Sequence, residues 1–135
     1  MTERPDRGAC ETWLAQARRD LDKASAMSEI GVFEPCDVCA YAQQAAEKSL
    51  KAVLVLTDAG IPRLHDLREL RSRCGIRIAP HLCDDRLDFL SALWTSSRYP
   101  GDWQEPTRED AHEALLIARE VVSDSIRIIA EKEST

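Results

Sequence analysis

The stretch CDVCAYAQQAAEKSLKAVLVLTDA, residues 36–59, decides the fold. At a helical repeat of about 3.6 residues, its apolar side chains form a stripe that runs from Val38 to Leu56 and is mostly alanine in its first half. Small side chains let neighbouring helices approach the helix axis closely, as the central helix of a bundle requires. The opposite side is polar and carries Gln43, Gln44, Glu47, Lys48 and Lys51. We therefore predict a long central helix with other helices packed around it.

Apolar spacing and helix-ending residues predict the remaining elements. The predicted helices cover residues 10–29, 35–60, 65–74, 82–97 and 107–131. The segment IRIAP, residues 76–80, alternates apolar and polar side chains, but a single strand would leave its backbone hydrogen bonds unpaired, so we interpret it as a connector. The sequence thus predicts an all-α, antiparallel up-and-down bundle of four long helices plus one short helix. One domain is expected over residues 10–132, after a flexible lead of residues 1–9.

Composition narrows the class of protein. The 135 residues suit one domain, and a net charge of −6 disfavours a general nucleic-acid surface, because such binding depends on Lys and Arg. No apolar run approaches the roughly 18 residues of a membrane span, and the N-terminus lacks the apolar segment of a secretory signal. We expect a cytoplasmic protein that does not contact a membrane.

The chain contains five cysteines, and an odd number without a secretory signal argues against a disulfide framework. Cys36 and Cys39 have the spacing of half a zinc site or of a redox pair. Both, however, fall in the first turn of the central helix, and no second pair follows. We interpret the cysteines as small buried side chains and expect no metal and no cofactor.

Five segments in the same order and spacing resemble the HEPN domain family (higher eukaryotes and prokaryotes nucleotide-binding). They are W-L-x-x-A-x-x-D-L (13–21), A-Q-Q-A-A-E-K-x-L-K-A (42–52), P-x-x-H-D-L-x-x-L (62–70), R-Y-P (98–100) and T-x-E-x-A-x-x-A (107–114). The resemblance spans nearly the whole chain. It implies a helical up-and-down bundle that is often a homodimer, which agrees with the fold predicted from periodicity.

The resemblance also implies two alternative activities, cleavage of RNA and binding of a nucleotide without catalysis. Many members of the family are metal-independent ribonucleases with an R-x(4–6)-H motif. The arginine–histidine pairs of this chain are closer together: Arg63–His65, Arg77–His81 and Arg108–His112. The chain is therefore more similar to members that resemble non-catalytic nucleotide-binding modules, often encoded beside a minimal nucleotidyltransferase as a toxin–antitoxin-type pair.

His65 and Asp66 are the first candidate binding residues. They stand at a predicted helix start, after Pro62, where backbone N–H groups favour an anion such as a phosphate. The alternative is structural: Asp66 complements the helix dipole and His65 bonds a loop carbonyl.

Arg98 and Tyr99 are the second candidates, because a forked cation suits a phosphate and a flat ring suits a base. Trp103 could add a stacking surface. The polar side of the central helix, with Gln43, Glu47, Lys48 and Lys51, could line a groove with Arg98. The alternatives are a loop pinned by aromatic packing and a solvated helix face.

The leading hypothesis is a non-catalytic module that binds a nucleotide or a minimal nucleotidyltransferase. A second hypothesis is a ribonuclease toxin that acts on RNA through Arg108 and His112, or through His65 and Arg98. A third is a structural subunit that oligomerises through the last helix, where Ile128 and Ile129 cap the core or face a second subunit.

Overall fold

The structure, a computed structural model, describes residues 7–57, 60–75, 78–98 and 105–134, the last five of the third range by their backbone alone. Within these ranges the chain forms helices and turns, with no strand. The helices are α1 (Arg7–Ile30), α2 (Pro35–Leu56), α3 (Leu67–Arg73), α4 (Asp84–Arg98) and α5 (Arg108–Glu133). The predicted all-α bundle of four long helices and one short helix is confirmed.

Helix α2 lies at the centre and packs against each of the other four helices. Its alanines are buried, among them Ala42, Ala45, Ala46 and Ala52. Because an alanine side chain ends at Cβ, α1 and α5 can pack close to this helix along much of its length. Larger core side chains fill the wider spaces farther along the bundle: Leu50, Leu54, Leu67, Leu70, Leu87 and Leu90.

Helix ends differ from the prediction by a few residues. Helix α1 begins at Arg7, so residues 7–9 of the predicted lead are helical. Helix α2 ends at Leu56 and not at Gly60, because the N–H and the hydroxyl of Thr57 both donate to the carbonyl of Leu54 and close the last turn. The predicted capping signal of α5 is present as a full capping box.

The segment between α3 and α4 is held between two helices. Arg71 of α3 donates to the carbonyl oxygens of Ala79 and Leu82 at 3.1 and 2.7 Å. Asp124 of α5 accepts from the N–H of Ala79, which has a φ of 45°. Residues 78–80 form a turn, as expected for a connector, and residues 76 and 77 lie outside the described ranges.

The last helix contributes its apolar side to the core of its own bundle. Ile128 and Ile129 are 3 and 4 % exposed, so they cap this core and do not present an apolar surface to a second subunit. In the described part of the chain, no helix combines the length and the apolar character that crossing a bilayer demands.

Candidate functional site

Three residues on the polar side of α2, Gln43, Glu47 and Lys51, are buried and form a network centred on Glu47. The Oε2 atom of Glu47 accepts from the Lys51 ammonium at 3.0 Å, and Oε1 accepts from the Gln43 amide at 3.1 Å. The side chains of Glu47 and Lys51 are only 4 and 8 % exposed. Gln43 is completely buried. These three residues therefore do not belong to a solvated face, because the surrounding elements cover them.

His65 joins the network from the loop that precedes α3. Its Nδ1 atom lies 2.7 Å from Oε1 of Glu47, and its carbonyl accepts from the Gln43 amide at 3.2 Å. A carboxylate paired with an ammonium acts only as an acceptor, so Nδ1 carries the hydrogen. Both the ring and the backbone of His65 are thus fixed on α2. The side chain is nevertheless 55 % exposed, which places a fixed imidazole at the protein surface.

Asp66, the neighbour of His65, has a structural contact. It is the N-cap residue of α3, and its side chain accepts from the N–H of Glu69 at 3.2 Å. The N–H of Leu67 donates to the hydroxyl of Ser91 at 3.0 Å. These bonds occupy two of the N–H groups at the start of α3. The sequence had predicted that these N–H groups would favour an anion.

Lys48 is on the same side of α2 but belongs to a separate pair. Its ammonium lies 2.7 Å from Asp20 of α1, and the two side chains are 21 and 10 % exposed. The Lys51 ammonium, in contrast, lies 5.6 Å from the centre of the Trp13 ring of α1, a cation–π contact. The network therefore extends from α1 through α2 to His65.

The remaining candidates are not joined to the network by the described contacts. The side chains of residues 94–98 and all of residues 99–104 lie outside the described ranges, so the structure leaves Arg98, Tyr99 and Trp103 as predictions. Arg108 donates to the carbonyl of Gly31 at 3.3 Å. Arg108 and His112 line a cavity of about 210 Å³ between the start of α5 and the turn after α1.

The five cysteines are free thiols, and Cys10, Cys39 and Cys74 are buried. Burial raises the pKa of Cys39 and Cys74 to about 12 and that of Cys10 to about 11. These thiols are therefore protonated at neutral pH and poorly nucleophilic. Cys83, in contrast, is exposed. No group of three or more His, Cys, Asp or Glu side chains in the described ranges is arranged to hold a metal ion.

Sequence reasoning missed two members of this region, Trp13 and Asp20. Both were quoted only as part of the W-L-x-x-A-x-x-D-L segment, without a role in binding. A signal was present, because both belong to the same nine-residue segment and stand seven residues apart, two turns along one helix face. Their partners, Lys51 and Lys48, were already candidates on α2.

Comparisons with known proteins agree with this architecture. The family model for the HEPN domain matches residues 10–129. The crystal structure of TT1696 from Thermus thermophilus is 25 % identical, with a TM-score of 0.69, and the match covers 87 % of this chain and 96 % of that one. The crystal structure of ST0689, an archaeal HEPN homologue, is 27 % identical, with a TM-score of 0.70 and coverages of 95 and 99 %. A search of curated proteins gave no match. Since the family model covers nearly all of the sequence, the chain belongs to the HEPN domain family.

Proposed function

We propose that this HEPN domain binds a nucleotide without cleaving RNA, and that His65 contacts the phosphate. The observation that carries the proposal is the exposed imidazole fixed by buried partners. Gln43 and Glu47 hold the backbone and the ring of His65, and Lys51 balances the charge of Glu47. A side chain held in this way loses little conformational freedom when it binds a ligand.

The chemistry of the fixed ring suits a phosphate. Glu47 occupies Nδ1, so a ligand would meet His65 through Nε2. A protonated imidazole would donate from Nε2 to a phosphate oxygen while Nδ1 continues to donate to Glu47. Arg98 and Tyr99 follow at the end of α4 and would supply a second cation and a ring that stacks on a base.

One sequence feature and one structural contact support binding over cleavage. None of the three histidines has an arginine at the R-x(4–6)-H spacing of the family's ribonucleases. Arg108, the arginine of one candidate catalytic pair, donates to the backbone of Gly31 within its own chain.

A minimal nucleotidyltransferase, which would complete a toxin–antitoxin-type pair, is the partner protein that we propose for this module.

Isothermal titration calorimetry with ATP, GTP and their monophosphates tests the proposal. A His65→Ala variant should bind about 10- to 100-fold more weakly, the value of one hydrogen bond to a charged group. The matched control is His81→Ala, because His81 is also an exposed histidine with a carboxylate partner, 2.7 Å from Glu120. Equal affinities of the two variants, or no binding by the wild type, would contradict the proposal.

A second candidate function, metal-independent cleavage of RNA, is favoured by the 2.7 Å contact between Glu47 and His65. A carboxylate that orients a histidine through Nδ1 is the arrangement found in many general bases. RNA incubated without metal with the wild type, His65→Ala and His112→Ala distinguishes the possibilities. Cleavage lost only in His65→Ala would establish this activity, and loss only in His112→Ala would assign it to Arg108 and His112. No cleavage by any of the three proteins would contradict this second function and leave the calorimetric titration to decide on nucleotide binding.

A further inference from the structure

The face of α4 that meets α3 begins with two acidic residues. Asp84 and Asp88 are four residues apart, one turn along the same helix face. A carboxylate oxygen of Asp84 lies 2.7 Å from Nη2 of Arg71. Nε of Arg68 lies 3.4 Å from Asp84 and 3.7 Å from Asp88. The contacts thus move toward the start of α3 as they move toward the end of α4, so the two helices run in opposite directions.

Ser91 is the next residue on this face of α4, three residues after Asp88. Its hydroxyl accepts from the N–H of Leu67, the first residue of α3, at 3.0 Å. The ion pairs of Arg68 are about half exposed, so solvent competes for their charges and they hold the two helices weakly. The bond of Ser91 is partly buried and ends on the main chain. Of the described contacts between this face and α3, it lies nearest the end of α4, and it sets the register there.

The same face of α4 leads to Arg98. Arg98 follows Ser91 by seven residues, two helical turns, so its position shares the face and lies about 10 Å farther along the helix axis. His65 precedes Leu67 by two residues, which span at most about 7 Å of extended chain. Because α4 runs antiparallel to α3, its last two turns pass the start of α3 toward the loop that carries His65.

We propose that Ser91 is a positioning residue of the nucleotide site, because it sets the register at which α4 brings Arg98 to the phosphate that His65 contacts. This inference rests on the proposed function. His65 is fixed on α2, whereas Arg98 stands on the last turn of α4. A phosphate that both residues contact therefore depends on how α4 lies relative to the loop before α3. The bond between Ser91 and Leu67 joins these two elements directly.

The geometry of an arginine–phosphate contact makes this register important. An arginine pairs with a phosphate through two parallel N–H···O bonds, and both bonds require the planar group in one orientation. Loss of the hydroxyl of Ser91 lets the end of α4 shift along α3. Arg98 then loses its orientation while His65 keeps its contacts with α2. The effect of Ser91 on binding thus passes through Arg98.

Isothermal titration calorimetry of Ser91→Ala with ATP, GTP, AMP and GMP tests the inference. For the nucleotides that the wild type binds, the affinity should fall about 3- to 10-fold, which is part of the 10- to 100-fold that one hydrogen bond to a charged group provides. Ser91→Thr keeps a hydroxyl at this position and should bind within about twofold of the wild type.

Ser125→Ala is the matched control for a loss of stability. Ser125 also joins two helices through its hydroxyl, which donates to the carbonyl of Val121 at 2.8 Å and to the hydroxyl of Ser49 at 3.3 Å. The variant should lose stability in urea titration but bind nucleotide like the wild type, because its bonds involve neither α3 nor α4.

A double variant separates positioning of Arg98 from a general effect on the site. In an Arg98→Ala background, Ser91→Ala should lower the affinity by less than about twofold, because the residue that it positions is already absent. A Ser91→Ala variant that binds like the wild type, or one that loses the same factor with and without Arg98, would overturn this inference. Nucleotide binding that still requires His65 would in that case preserve the proposed function, whereas a wild type that binds none of the four nucleotides would refute both.

Discussion

Replacing Glu47 by Gln should destabilise the protein through the ammonium group that the substitution leaves unpaired. The amide has nearly the same shape as the carboxylate, so the packing around α2 is preserved. Lys51, however, loses the charge that lies 3.0 Å from its ammonium, while its side chain stays 8 % exposed. Removing one partner of a buried ion pair costs about 3–5 kcal/mol, because the other charge remains desolvated.

The expected loss is about 3 kcal/mol, at the lower end of that range. The Trp13 ring still faces the Lys51 ammonium at 5.6 Å and compensates part of the loss. Domains of this size are stable by about 5–15 kcal/mol, so the variant should remain folded with a melting temperature lowered by about 10 °C. Urea titration followed by circular dichroism measures the free energy of unfolding directly.

Glu69→Gln is the matched control. Glu69 and Arg73 are also four residues apart and 3.1 Å from each other, but their side chains are 50 and 47 % exposed. Removing this surface pair should cost less than about 1 kcal/mol. If the Glu47 and Glu69 variants lose the same stability, burial does not raise the cost of breaking the Glu47–Lys51 pair, and the argument is wrong.

A double variant, Glu47→Met with Lys51→Met, tests whether the unpaired ammonium causes the loss of stability. Replacing both charges by apolar side chains removes the unpaired ammonium, so most of the stability should return. The Gln43 amide keeps the carbonyl of His65 as its acceptor, and water can reach the half-exposed His65 ring. A double variant as unstable as the sum of its single variants would refute the argument from an unpaired charge.

Further predictions concern the core, a helix cap and the thiols. Leu50→Ala should cost about 2–5 kcal/mol in urea titration, because it empties a completely buried position, and a loss below about 1 kcal/mol would contradict this. Thr107→Ala should cost about 1 kcal/mol by the same measurement through loss of the α5 cap, and an unchanged stability would show that the cap does not contribute. Burial raises the pKa of Cys39 and Cys74 from 9.0 to about 12, so the unfolded chain releases protons that the folded chain retains, and the free energy of unfolding should fall as the pH rises above about 9. Cys83, which is exposed, should react first with iodoacetamide in the folded protein, and mass spectrometry that finds Cys39 modified earlier would contradict the structure.

The fold was predictable because its signal is local. The alternation of apolar and polar residues along α2 shows directly which positions repeat on one helix face, and Pro35 and Thr107 mark helix starts. The burial of the polar side was not predictable in the same way. Whether that side meets water depends on how many helices surround α2, and this information is spread over the whole chain.

The contacts of the candidate site were only partly predictable for the same reason. Gln43, Glu47 and Lys51 share one helix face, which their spacing already indicates. That His65 joins them, 18 residues from Glu47, depends on the path of the α2–α3 loop. That Lys48 instead pairs with Asp20, 28 residues away, depends on the packing of α1. Sequence spacing could identify the participants but not divide them between two separate pairs.

The contact between Lys51 and Trp13 gives the protein an intrinsic fluorescence reporter. The emission of an indole ring depends on the charges close to it, and the Lys51 ammonium lies over this ring while sharing Glu47 with His65. An anion that binds at His65 would therefore change the field at Trp13 through only two intervening side chains. Because the chain has three tryptophans, a Trp13→Phe variant is needed to assign the signal. Ligands could then be screened without a label, and the reporter would lie at the end of the network opposite to the proposed binding residue.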